Sequence, residues 1–156
     1  MKKGVWMPIL LLSVAANVGL VYKFILSGKT AEITDQRTAI LLDEGERELV
    51  LGEMRMFLGA TQQITAGINA EDMELVAKAA RSVGRAAAQE VPGSLMGKLP
   101  VEFKKLGFAT HGGFDQLAMD AEQMGDPAHA LEQLSGLLNN CVACHAAYQI
   151  RQPAVD

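Results

Sequence analysis

The sequence predicts an all-α fold, an antiparallel four-helix bundle preceded by a transmembrane helix. Three observations predict it. Aromatic residues make up only 5% of the chain while Ala, Leu, Met, Glu and Gln are abundant, and these side chains lose little rotamer freedom in a helix. An almost charge-free apolar run occupies Val5 to Leu26. Beyond it, four stretches carry apolar residues at alternating steps of three and four, the period of one helix face. A length of 156 residues leaves room for one ordinary domain plus a short extra segment. The expected division is residues 1–30 as anchor and short linker and residues 31–156 as the folded domain.

Between Val5 and Leu26 Lys23 is the only charge, and the run is long enough to cross a hydrocarbon core of roughly 30 Å as a helix. Lys2 and Lys3 precede it and favour an N-terminus kept in the cytoplasm, a bias that Lys23 and Lys29 weaken. Lys23 can snorkel to the interface. A cleaved signal peptide is the competing reading, with Val14-Ala15-Ala16 as the small-residue site, and a buried helix is a third. Both leading readings put the rest of the chain on the periplasmic side of the cytoplasmic membrane, anchored in the first and released as a soluble form in the second.

The domain itself is expected to start near Thr34, after the polar stretch from Ser27 to Gln36. Val50, Met54, Phe57, Thr61, Ile64 and Ile68 mark one face of a long first amphipathic helix. Asn69 is the expected N-cap of a second, whose face runs through Met73, Val76, Ala80, Val83 and Ala87 up to Val91-Pro92-Gly93. Phe103, Leu106, Thr110, Phe114, Leu117 and Ala121 mark a third, with a kink or break expected near His111 because Gly112-Gly113 follows. Gly125-Asp126-Pro127 ends it and begins the fourth, Asp126 as cap and Pro127 at the first helical position. The fourth carries Leu131, Leu134, Leu138, Cys141, His145 and Tyr148 on one stripe. Short first and last connections and a longer middle one fit an antiparallel bundle.

A net charge of −4 offers no basic stripe, so nucleic acid is not an expected partner. The two cysteines stand in Cys141-Val142-Ala143-Cys144-His145, so no disulfide joins distant segments. Two thiols one turn apart, followed at once by a histidine, are what covalent attachment of one haem requires, each thiol adding to a vinyl group while the imidazole reaches the iron. A redox Cys-x-x-Cys belongs at a helix N-terminus in a βαβ setting, for which no strand pattern exists here. A zinc site needs two further soft ligands, and His111 and His129 stand isolated in sequence. Cys141, Cys144 and His145 are therefore the expected cofactor-binding residues, with His145 as the metal ligand of one covalent haem c.

A helical bundle with Cys-x-x-Cys-His-x-x-Tyr in its last helix resembles the cytochrome c′ family over about Thr38 to Arg151. The resemblance implies a haem between the helices, His145 as proximal ligand, Tyr148 nearby, and an arginine of the first helix close to the haem propionates. Arg47 matches that arginine, twenty residues before Gly67. The residue one turn after it lies over the distal side of the iron in the family, bulky and apolar in five-coordinate members and methionine in six-coordinate ones; here it is Leu51. The chain departs from the pattern in having Gln149 after the tyrosine and a basic residue only at Arg151, and in carrying an anchor.

The expected function is that of a c-type cytochrome, exchanging single electrons with a redox partner protein in the periplasm or membrane and binding a diatomic gas, NO or CO, at a five-coordinate iron. The alternatives are a dedicated electron carrier ligated by His145 and Met54, and a membrane-bound haem gas sensor. Methionine on such a stripe also serves as core filler. No acid–base residue is evident in sequence for peroxide cleavage, so no enzyme is expected. His111 reads as a surface or loop residue, or as a second axial ligand if its helix breaks. His129 reads as solvent-exposed. Asp43, Glu44, Glu46 and Glu48 read as a hydrated face or a docking surface for a basic partner. Ala77, Ala79, Ala86 and Ala88 permit a homodimer contact.

Overall fold

The computed structural model describes residues 6–21, 36–88 and 91–153. It divides into two compact units, residues 1–36 and 37–156. In the first, α1 spans Trp6–Val21. Its 16 residues extend about 24 Å at the usual rise, short of the roughly 30 Å of a hydrocarbon core. Among the described residues no helix is long and apolar enough to cross a membrane. The expected transmembrane helix over Val5 to Leu26, the periplasm-facing placement and the fold class that included them are corrected accordingly. Val5 and residues 22–26 lie outside the described residues.

The second unit opens with β1, Thr38–Leu41, and α2, Glu44–Asn69. The start of α2 is locked by a reciprocal cap. Asp43 Oδ1 accepts from the Glu46 N–H at 3.0 Å, and Glu46 Oε2 accepts from the Asp43 N–H at 3.1 Å. The cluster expected to be a hydrated face thus begins as a capping device. Lys98 crosses to it, 2.6 Å from Glu46 and 3.4 Å from Asp43. Asp43 is held below the usual carboxylate range, first by the Glu46 N–H and then by Lys98.

Helix α2 runs two residues beyond Gly67, and Asp72 rather than Asn69 caps α3, Met73–Arg81, accepting from the Leu75 N–H at 2.9 Å. Between them Glu71 takes a left-handed φ of 54°. The expected second helix, continuous up to Val91-Pro92-Gly93, is interrupted: the chain turns at Ser82–Gly84 and resumes as α4, Arg85–Ala88. Residues of a later helix make that break. Asp115 Oδ2 accepts from the Arg85 N–H at 3.1 Å, and the His111 ring bonds the Val83 carbonyl at 2.8 Å. Gly84 packs so closely on the Asp115 carboxylate that a Cβ there would overlap it.

After α5, Gly93–Lys98, the chain forms α6, Val101–Met124, α7, Pro127–Ala147, and β2, Tyr148–Arg151. No kink occurs at His111. Gly112 lies under the Arg85 guanidinium and Gly113 against Leu137, 2.7 and 3.0 Å from an added Cβ, so both glycines serve close packing rather than a break. Gly125 at φ 63° ends α6, and Asp126 caps α7 through the N–H groups of Ala128 and His129.

Helices α2, α3, α6 and α7 pack as a closed ring, each against two neighbours in the order α2, α3, α6, α7 and back to α2. Connections of three residues (70–72) and two residues (125–126) reverse the chain between paired helices. The core of the ring holds Ile64, Val76, Phe114, Leu117 and Leu134, with Phe57 stacked on Phe114 at 5.5 Å. Ala77 and Ala79, half of the expected dimer surface, are buried in this core.

At the end where α2 begins and α7 finishes, β1 and β2 pair in parallel, Thr38 opposite Tyr148 and Leu41 opposite Arg151. A parallel pair needs a long crossover, and here the whole bundle supplies it. Tyr148 therefore leaves the helical stripe and stands half-buried in β2, edge-on to Phe103 at 5.4 Å. Ile40, Leu42, Val50 and Leu95 form a second core under this ladder.

Candidate haem site

The last turns of α7 place Cys141, Cys144 and His145 at steps of three and one, on a common face. That face opens on a mostly apolar cavity of about 500 Å³, lined on its other sides by α2 and α6. Its volume falls in the roughly 300–1,000 Å³ range of small-molecule and cofactor pockets. Leu51, Met54, Arg55 and Leu58 line it from α2, Leu106, Thr110 and His111 from α6, and Leu138 from α7.

Both cysteines are free and half-buried. Burial pushes both thiols above their ordinary value, and the neighbouring Cys141 adds to the effect at Cys144. Their position near the C-terminal end of α7, the negative end of the helix dipole, disfavours a thiolate as well. A thiol-disulfide exchange motif needs the opposite, a lowered pKa at a helix N-terminus.

The His145 imidazole lines the same cavity and has no hydrogen-bond partner for its ring among the described residues. Its backbone is held: the His145 and Tyr148 carbonyls accept from Arg37 Nη1 at 3.2 and 3.4 Å, and Gln149 Nε2 donates to the Arg37 carbonyl at 3.1 Å. The β1–β2 ladder and Arg37 thereby pin the end of α7, which positions the motif. Gln149, a departure from the resembled pattern, takes part in that clamp.

Of the other residues expected from sequence, Leu51 and Met54 both line the cavity and are half-buried. Arg47 is outside the lining and pairs with Glu48 at 3.3 Å. Tyr148 is also outside it, and reaches it only through its contact with Phe103. Arg55 supplies a cation to the cavity wall instead, its Nη2 3.6 Å from Glu48 Oε2. His129 is half-buried beside Asp120 at 3.5 Å. Among the described residues no group of three or more His, Cys, Asp or Glu side chains is placed to hold a bare metal ion.

Glu53 escaped the sequence reading, and His111 was misplaced by it. His111 is not a surface or loop residue but 4% exposed, its Nε2 3.1 Å from Glu53 Oε1 and its ring 4.9 Å from Phe57. Burial works to lower its pKa, but the Glu53 carboxylate and the Val83 carbonyl outweigh it and hold the pKa above the ordinary value. Glu53 itself lines the cavity. Helical spacing carried the signal, since Glu53 lies between Val50 and Phe57 on the buried stripe of α2, and His111 three residues before Phe114 on that of α6.

No protein-family model, no curated protein and no solved structure matches this chain.

Proposed function

We propose that the large cavity holds one haem c, attached through Cys141 and Cys144 and ligated by His145, and that the protein is a cytochrome of the c′ type. One observation carries the reading: two free, half-buried thiols and the His145 imidazole line one mostly apolar, cofactor-sized cavity from a single helix face. Each cysteine would add its S–H across one vinyl C=C, sulfur to one carbon and hydrogen to the other, a step that needs no oxidant. The bound iron supplies one-electron exchange with a redox partner protein and a position for a diatomic gas, NO or CO.

The chain's own residues do the rest. Leu51 is apolar and cannot ligate iron, so it shields the cavity from water and from polar ligands while leaving room for a diatomic. Arg55 offers a guanidinium suited to the haem carboxylates. Glu53 and His111 direct their hydrogen bonds to each other and to Val83, and the reading is accordingly of a carrier and gas-binding protein rather than an enzyme. Denatured protein from cells with haem-ligation machinery should retain its haem on a gel and gain the mass of one porphyrin. Haem released by acid–acetone would overturn the proposal.

A second reading is favoured by Met54, which lines the same cavity. With its thioether on the iron the protein would be a six-coordinate, dedicated electron carrier. A low-spin spectrum in both oxidation states that turns high-spin in Met54→Ala would establish it over the first.

A further inference from the structure

A groove of about 170 Å³ lies between α2, α5 and α6. It is open to solvent: Leu49, Met56 and Phe108 of its lining are more than half exposed, whereas Val50 and Leu95 are buried. Three of its lining side chains are polar, and two of them are spent on each other. Glu53 Oε1 lies 3.1 Å from His111 Nε2, and the other ring nitrogen bonds the Val83 carbonyl at 2.8 Å. The third, Lys104, is half-buried and forms no ion pair among the described residues. Its ammonium makes one hydrogen bond, to the Met96 carbonyl at 3.4 Å. The lysines before and after it in sequence are both paired, Lys98 with Glu46 at 2.6 Å and Lys105 with Glu102 at 2.7 Å. An ammonium drawn into apolar surroundings without a counter-charge loses hydration and recovers little, so the groove favours a ligand that brings an anion to Lys104.

We propose that this groove binds a free medium-chain fatty acid, its alkyl chain against Val50, Leu95, Leu99 and Phe108 and its carboxylate on Lys104. Two features select this class. The lining is otherwise apolar, so each methylene taken out of water is worth about a factor of four in affinity. The one acid in the lining, Glu53, is held by His111, which leaves Lys104 as the cation open to an incoming carboxylate. An open groove also suits a chain, whose far end can run out past the exposed Leu49, Met56 and Phe108 and cover them. No residue of the Cys141 to His145 motif lines the groove, so the site does not rest on the haem reading.

Methyl NMR titrations of the full chain with octanoate, decanoate and decanol, each below its micellar or solubility limit, test the site. Saturable shifts should appear at the Val50, Leu95 and Leu99 methyls, with decanoate binding about tenfold more tightly than octanoate for its two extra methylenes. Lys104→Gln should weaken decanoate at least fivefold and leave decanol within twofold. Ala87→Leu, which fills the groove from α4, should weaken both ligands, while unchanged Leu134 and Leu137 methyl shifts show that the main core of each variant is intact. Absence of saturable shifts, or shifts confined to the Leu51, Leu58 and Leu138 methyls of the larger cavity, would overturn the proposal. So would a Lys104→Gln protein that binds decanoate as the native chain does, or that loses decanol and decanoate alike. The titration reads the groove whether or not haem is attached, so it succeeds or fails separately from the haem-mass measurement.

Discussion

Replacing Glu53 by Gln should destabilise the protein in acid and leave it nearly unchanged in alkali. Gln keeps the shape of the side chain and can still donate from its amide to a neutral His111, so the perturbation is the loss of one charge. In the native protein His111 is buried and doubly engaged, its Nδ1–H donating to Val83 at 2.8 Å and its Nε2 facing Glu53 at 3.1 Å. Its folded pKa lies above the ordinary 6.5 because the Glu53 and Val83 bonds outweigh burial. A group whose pKa is raised on folding contributes stability that is complete below its unfolded pKa and disappears as the pH climbs through the folded one. The contribution is therefore present at pH 5 and lost in alkali. A hydrogen bond to a charged group is worth about 1.5–3 kcal/mol. The Glu53 side chain is 24% exposed, so solvent screening moves the expected loss to about 1–2 kcal/mol at pH 5. At pH 9 the two proteins should agree within about 0.5 kcal/mol. For a unit of this size that is a melting difference of roughly 3–10 °C in acid. Other groups around the site, Arg85 and Asp115 near His111 and the Cys141, Cys144 and His145 set across the cavity, are common to both proteins and largely cancel in the difference. Thermal unfolding of both at pH 5, 7 and 9 measures it. A gap of equal size at all three values, or a more stable variant at pH 5, would refute the account of the pair.

Glu71→Gly should stabilise by about 0.5–1 kcal/mol, because the residue sits at φ 54° where only glycine avoids a steric cost; denaturant midpoints check it, and a lower midpoint would contradict the turn geometry. Gly84→Ala should destabilise by about 1–3 kcal/mol, since the added methyl displaces the Asp115 carboxylate that bonds the Arg85 N–H; a neutral result in the same titration would mean the break after α3 has another cause. On the haem reading, Leu51→Ala should speed carbon monoxide association by about tenfold in stopped flow, the gain from removing one packed side chain worth about 1–3 kcal/mol. Leu51→Met should shift the spectrum towards low spin, and no change in either variant would take Leu51 off the ligand path.

Elements governed by neighbouring residues were readable in the chain before any fold was known. Gly125, Asp126 and Pro127 end one helix and start the next through bonds that span at most three residues, so their chemistry suffices to place the boundary. Cys141, Cys144 and His145 share a face because helical geometry requires it. The stripe from Val50 to Ile68 likewise followed from period alone. Tertiary structure decided whatever depends on partners far along the chain. The second helix stops at Arg81 because Asp115 and His111, about thirty residues later, take up the backbone groups of Arg85 and Val83. Gly112 and Gly113, breakers by propensity, continue α6 because Arg85 and Leu137 occupy the space their missing side chains leave. Tyr148 left its helix for a strand whose partner begins 110 residues earlier, at Thr38. The choice of Arg55 over Arg47 as the cavity cation, and the burial of His111 against Glu53, arise where α2 faces α6 across the bundle. Local spacing says which residues share a face. Only the packing of that face against others sets what each residue meets, because burial and pairing energies belong to contacts between elements.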